Sequence, residues 1–399
     1  MAVIPLGERP PQPQQSRLFT PFALGFRPFF ALAGLAGVVL MGIWLATWFG
    51  LFSVPPYYGL VGWHSHEMLF GYTSAVIAGF LLTAVRNWTG IDTPVGKPLA
   101  ALALVWLAGR LVPYITLLPA ALIAFTDLLF LPLLAAALYV PLMRAENRIN
   151  RIFLPMLAAM TLANLLIHLQ SLGMADSALK GTNLMLGMIL LLLTLVSGRV
   201  LPFFAEKAVE GAKPRNSKQR ELWVFLTLIA WILVDLIFPD PWLLALLAVG
   251  VATTQLWRLF DWYHPGIWHT PILWVLYTGV AWMIMGFSLK AAASLGLFPD
   301  NLAIHALTSG AVGVLTLGMM ARVALGHTGR PLQPSRLVEI SFLILNLAIL
   351  IRVFAPFLFA ELNSVWLMVS GGLWILCFLL FTLHYLPILI RPRIDGNPG

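Results

Sequence analysis

Apolar runs of roughly 20 residues, the length that carries a helix across a bilayer, recur along the whole chain and are closed each time by Gly, Pro or charge. They lie near 29–50, 66–85, 98–117, 120–142, 152–172, 183–204, 221–238, 241–259, 270–290, 302–325, 336–356 and 364–388. Lipid offers backbone N–H and C=O groups no partners, so a chain of many such runs must satisfy them inside helices. The expected fold is an all-α polytopic membrane protein of twelve transmembrane helices. Its layout is a cytoplasmic N-terminal segment (1–28), a twelve-helix transmembrane domain (29–388) and a cytoplasmic tail (389–399). The Pro/Gln-rich N-terminal segment, with Arg27 and Pro28 before the first span, does not read as a cleavable signal.

Charge placement then orients the bundle. The net charge of +8 suggests a basic binding surface until the cations are sorted by loop. All but Arg110, Lys180, Lys290 and Arg352 fall on the side of the N-terminal segment and of the loop "AEKAVEGAKPRNSKQR". By the positive-inside rule both termini are expected in the cytoplasm, and no basic stripe remains for a nucleic acid. The lone cysteine, Cys377, excludes disulfides and thiolate clusters as a framework.

Orientation sets the depth of each polar residue. His64, His66 and Glu67 open the second span from the outer face, His168 lies near the outer end of the fifth, and His305 near the outer start of the tenth. His264, His269, His327 and His384 fall at the opposite end. Ungapped alignment on Gly71, Gly187 and Gly310 overlays spans 2, 6 and 10: His66 then matches His305 and Gly79 matches Gly318. The chain accordingly reads as three successive four-helix units.

Ionisable groups at membrane depth need a partner or a purpose. Imidazoles from several helices at one level are what a buried haem or copper site requires. The matched pair His66 and His305 is the expected haem pair, with the Arg110 and Arg352 guanidiniums suited to the two propionates. His64 lies two residues from His66, about 200° around a helix, so the two serve different sites or His64 caps the span, and the sequence does not choose which of them faces His305 across a haem. His64 and His168 are the expected ligands of a second metal, and Glu67 either orients an imidazole or delivers protons. Bland alternatives stand beside these: a histidine near a helix end is satisfied by water or headgroups, and either arginine pairs with Asp127 or Asp235.

"GFRPFF" at 25–30, "HSHEMLFGY" and "GFLLTAVRNWTG" in the second span, "GRLV" after the third and "SGRVLPFF" in the sixth resemble the NnrS family in order along essentially the whole chain. The resemblance implies a bacterial inner-membrane protein of nitric oxide metabolism and resistance that contains haem and copper. It carries the family motif onto His64, His66, Glu67 and Arg110. The architecture also resembles the catalytic subunit of haem-copper oxidases, twelve helices in three units with haem-ligating histidines on helices 2 and 10. Here the departures are the lack of histidine in spans 6 and 7 and of an adjacent His-His pair. Together these resemblances imply a b-type haem, with copper as the second metal, nitric oxide as the small-molecule ligand, a lipid bilayer around it and an unnamed electron donor, in an oxidoreductase resembling nitric oxide reductase. The competing classes are a transporter or metal-delivery protein and a non-catalytic haem-binding sensor or assembly factor.

Overall fold

The computed structural model describes residues 20–397, so residues 1–19 of the expected N-terminal segment and 398–399 of the tail lie outside the described residues. The described chain is helical throughout, with no strand among the described residues. Its main helices are α1 (Phe26–Trp48), α2 (Leu60–Thr89), α3 (Lys97–Leu111), α4 (Ala120–Arg144), α5 (Phe153–Ser171), α6 (Ala178–Ala208), α7 (Lys218–Ile237), α8 (Pro241–Trp262), α9 (Pro271–Ser294), α10 (Asp300–Gly326), α11 (Arg336–Leu358) and α12 (Asn363–Ile390).

Ten of these, among the described residues, are long and apolar enough to cross a membrane. The expected third and seventh spans fall short, for different reasons. α3 has 15 residues before a 3-10 turn around Pro113 ends it, about 22 Å of helix against a hydrocarbon core of about 30 Å. α7 has 20 residues but carries Lys218, Arg220, Glu221 and Asp235. Both nonetheless run between opposite ends of the bundle. The Gly96 amide just before α3 bonds Phe22 beside α1, whereas Arg110 at its far end reaches Glu67 and Asp127.

Consecutive helices pack against each other and α12 returns to pack on α1, closing the bundle. α2 and α10 are the most enclosed, with 83% and 72% of their central windows buried against 39% for α4, α11 and α12. Small residues permit this. A Cβ on Gly79 would lie 2.7 Å from the Phe30 ring, and one on Gly318 2.8 Å from Leu276, so both glycines of the matched pair mark backbone brought close to a neighbouring helix. The end away from His64 is tied by charge: Arg220 pairs with Asp261, Arg258 with Glu221, and both guanidiniums lie over the Trp262 ring.

α2 and α10 share a second irregularity. Each is α-helical up to a histidine, His66 or His305, and then continues as a π-helix, over Glu67–Thr73 and Ala306–Gly313 respectively. These segments match in the alignment that equates His66 with His305. α6, the third member of that alignment, is an uninterrupted α-helix. Short π segments accommodate an extra residue and recur at functional sites. In α2 the loosened carbonyls are capped by α3: Arg110 Nη1 donates to the Phe70 carbonyl at 2.7 Å and Trp106 Nε1 to that of Gly71 at 3.1 Å.

Candidate functional site

The histidines of α2 face two ways, and each builds a different environment. His66 turns toward α3, α4 and α5, where its Nε2 lies 3.1 Å from Asp127 Oδ2 and 3.1 Å from Asn164 Oδ1. His168 brings its own Nε2 to within 3.0 Å of the same Asp127 oxygen, and Asn164 Nδ2 donates to it at 2.8 Å. One ligand atom from each of His66, Asp127 and His168 thus lies within 4.8 Å of the others, all three residues buried.

Every atom of the trio that points away from this centre has a partner of its own. His66 Nδ1 faces Glu67 Oε1 at 3.2 Å, His168 Nδ1 faces the Tyr57 hydroxyl at 2.9 Å, and Asp127 Oδ1 takes Arg110 Nη2. Tyr57 belongs to the short 3-10 turn Pro56–Tyr58 before α2, where burial, followed by the charge of Asp127, raises its phenol well above the ordinary tyrosine value. The neighbouring Tyr58 stacks on the His66 ring at 4.2 Å, and Phe70 lies against it at 5.0 Å.

Charge and hydrogen bonding leave this cluster incomplete. Asp127 and Glu67 bring two negative charges and Arg110 one positive, so a closed apolar setting calls for one more cation or proton. Arg110 Nε lies 3.1 Å from Glu67 Oε2, an ion pair whose angle is off a hydrogen bond. Glu67 Oε2 and Tyr58 Oη are buried without a hydrogen-bond partner, a pattern that marks room for an ion or water. Two imidazole nitrogens and a carboxylate oxygen, each oriented from behind, form a donor set suited to a divalent first-row metal such as copper or zinc.

His64 turns the other way, into a pocket between α1, α2, α6, α10, α11 and α12. The cavity has a volume of about 130 Å³ within a cleft of about 1030 Å³, and the two π segments supply part of its wall through Met68, Tyr72, Thr308 and Ser309. His64 stacks on Trp44 at 4.2 Å. Across from it, the His305 ring is 6.4 Å away and nearly parallel, at 14°. His305 Nδ1 donates to the Asn301 carbonyl at 2.6 Å, which fixes the tautomer and makes Nε2 the acceptor of a long hydrogen bond from Arg352. That Nε2 lies 3.5 Å from Arg352 Nη2.

The structure therefore redraws the expected pairing. His66 does not face His305; His64 does, and His66 joins His168 instead. Residues related by the internal repeat occupy like positions on their own helices, which does not bring them face to face, and the 200° between His64 and His66 turns only the former toward α10. Arg110 and Arg352 also separate. Arg110 is engaged by Asp127, Glu67 and the Phe70 carbonyl, the bland alternative raised for it from sequence, so only Arg352 stands on the pocket. Glu67 contacts His66 and Arg110 and is not part of the pocket wall. Asn164, Tyr57 and Tyr58 escaped the sequence analysis; an Asn one helical turn before His168 was the available signal for the first.

A bundle of long apolar helices enclosing a buried histidine–carboxylate cluster and a histidine-lined pocket defines a multi-pass membrane protein with the ligand sets of a metal- or haem-binding site. Over residues 20–393 the chain matches the family described as NnrS protein, and it belongs to that family. No curated protein matches it.

Proposed function

We propose that this chain is a bacterial inner-membrane haem protein of the nitric oxide response, with both termini cytoplasmic, all twelve helices crossing the bilayer, and a second metal beside the haem. The observation that carries the reading is the separation of two donor sets by one helix, His64 with His305 in the pocket and His66 with His168 and Asp127 behind it. Twelve crossings are supported by α3 and α7, which reach from end to end despite their length and charge.

The pocket residues fit a b-type haem. Two imidazole nitrogens bound about 2 Å from one metal ion place their ring centres about 6 Å apart, close to the 6.4 Å observed. Arg352 is the guanidinium available to a propionate, and Trp44 and Trp374 supply flat apolar wall. His66, His168 and Asp127 fit copper, with Glu67, Tyr57 and Arg110 orienting them. When bound, haem would supply an iron centre able to bind nitric oxide and pass it electrons.

The two pocket histidines are not equally fixed. His305 is anchored through Asn301, whereas stacking on Trp44 holds His64. With both on one iron no position would be open, so the less firmly held His64 would be the residue free to give way. If turnover follows, two molecules of nitric oxide take two electrons and two protons to form nitrous oxide and water, the electrons coming from a one-electron donor.

The test is the optical spectrum and metal content of purified protein. Loss of the Soret band in His305→Ala, and its loss or marked shift in His64→Ala, support the pocket assignment, with the band retained in His66→Ala. Full haem in His305→Ala sinks it. Nitric oxide consumption with an artificial donor separates an enzyme from a haem-binding sensor, and a haem-free, metal-free protein that moves a solute across liposomes would replace the reading with a transporter.

A further inference from the structure

The "SGRVLPFF" stretch lies toward the end of α6 away from His64 and serves neither ligand set. The alignment that equates His66 with His305 also equates its Arg199 with Arg322 of α10. Neither arginine has a carboxylate: no ion pair among the described residues includes either one. Arg199 donates to the neutral Asn150 Oδ1 at 2.7 Å and lies beside the Trp88 and Phe153 rings. Arg322 has less to hold it. It is 8% exposed, its Nη1 is buried without a hydrogen-bond partner, and its guanidinium lies 3.5 Å over the Phe204 ring of α6. A cation–π contact offsets part of the cost of burying that charge, yet it leaves the Nη1 donors unused. The surface around the guanidinium is apolar and incompletely closed. Val200 and Phe204 on α6 and Met319 and Val323 on α10 are half-buried, and Phe203 is 53% exposed. Arg322 stands four residues before the end of α10 at Gly326, about 6 Å of helix, near the level where lipid phosphates meet a transmembrane helix.

We propose that this seam between α6 and α10 binds one anionic phospholipid, with the lipid phosphate on the Arg322 guanidinium and an acyl chain along Phe203, Phe204, Met319 and Val323. A phosphodiester presents two oxygens to the fork of N–H donors that Arg322 leaves open. Arg199, five residues before Phe204, adds a second positive charge without a carboxylate at the same end, which favours a lipid of net negative charge over a zwitterionic one. The occupant follows from the two halves of the site taken together. A free inorganic anion would use the cation and leave the apolar seam bare, whereas an apolar helix would cover the seam and leave the guanidinium unpaired. An amphiphile with an anionic head satisfies both. The site lies at the opposite end of α6 and α10 from the pocket, so it rests on the bilayer reading of the helices and not on what either ligand set holds.

The experiment follows thermal unfolding of the purified, delipidated full chain in detergent while phosphatidylglycerol, phosphatidylcholine or inorganic phosphate is titrated in. Wild type, Arg322→Met and Arg322→Lys are compared. Expected for wild type is a rise in melting temperature that saturates with phosphatidylglycerol, a weaker response to phosphatidylcholine and none to inorganic phosphate. In R322M the phosphatidylglycerol titration should shift to about 10–100-fold higher lipid, the scale of a lost charge-assisted hydrogen bond, with part of the affinity kept in R322K. Without lipid, R322M should melt no lower than wild type, because Met removes an unpaired buried charge. An equal phosphatidylglycerol response in wild type and R322M overturns the site, as does a wild type that answers both lipids alike. Inorganic phosphate acting as well as phosphatidylglycerol overturns the lipid occupant in favour of a free anion. Should R322M not fold, Arg199→Gln carries the test: its preference for phosphatidylglycerol over phosphatidylcholine should shrink, and a wild-type preference overturns the proposal.

Discussion

Asp127→Asn keeps the volume of the side chain and changes its charge, which makes it a sharp test of the buried cluster. In the native protein one carboxylate oxygen takes Arg110, while the other accepts from Asn164 and lies against both His66 Nε2 and His168 Nε2. An amide cannot satisfy both sides. If its oxygen stays with Arg110, its NH2 meets the Asn164 NH2; if it flips, its NH2 meets the guanidinium. Breaking a buried pair by removing one partner costs about 3–5 kcal/mol, and the lower end applies because Glu67 still faces Arg110. Metal retention should fall by more than the roughly 10–100-fold that losing an outer partner costs, since here a ligand itself is lost. The assay is elemental analysis of purified wild type and D127N, paired with thermal unfolding in the same detergent. Wild-type metal content together with wild-type melting in D127N would refute both the geometry and its chemistry. A metal-free wild type that D127N still destabilises would leave the network standing and refute the metal.

Other outcomes test neighbouring contacts. Tyr57→Phe removes the hydroxyl behind His168 Nδ1 and is expected to weaken metal binding about 10–100-fold, measured by competition with a chelator; unchanged affinity would show that His168 needs no support. Gly109→Ala places a Cβ 2.7 Å from Asp127 Oδ1 and 3.3 Å from the Asp127 Cα, and should reduce metal content while leaving the Soret band. Gly198→Ala drives a Cβ into Arg258 Nη2 and displaces a buried, paired guanidinium; a loss of about 3 kcal/mol is expected, visible as a lower melting temperature with both ligand sets intact. Stripping metal with a chelator should lower the melting temperature of wild type and leave that of D127N unmoved.

The helices were legible because hydrocarbon thickness sets a length and lipid forbids any other backbone arrangement. What blurred the count was charge in α7 and the brevity of α3, neither of which hydropathy alone resolves. The level of the histidines was legible too, since the loop cations place His64, His66, His168 and His305 at one end. Their partners were not. Facing is a matter of rotation about a helix axis, and the π segments after His66 and His305 change that rotation without any residue type that announces them. Asp127 was visible as a carboxylate in an apolar span, but its role depends on His66 arriving from α2, Arg110 from α3, and Asn164 and His168 from α5.

A helix is a screw, and each π segment introduces a phase step between its two halves. Below the step α2 is locked by Gly79 against Phe30 and α10 by Gly318 against Leu276; above it stand the histidines. The packed half and the ligand-bearing half of each helix are thereby set independently, so the bundle can be tightened without re-aiming the imidazoles. Removing a single residue from 67–73 would erase the step in α2, swing His64 off the pocket and His66 off Asp127 together, and leave the packed half where it was.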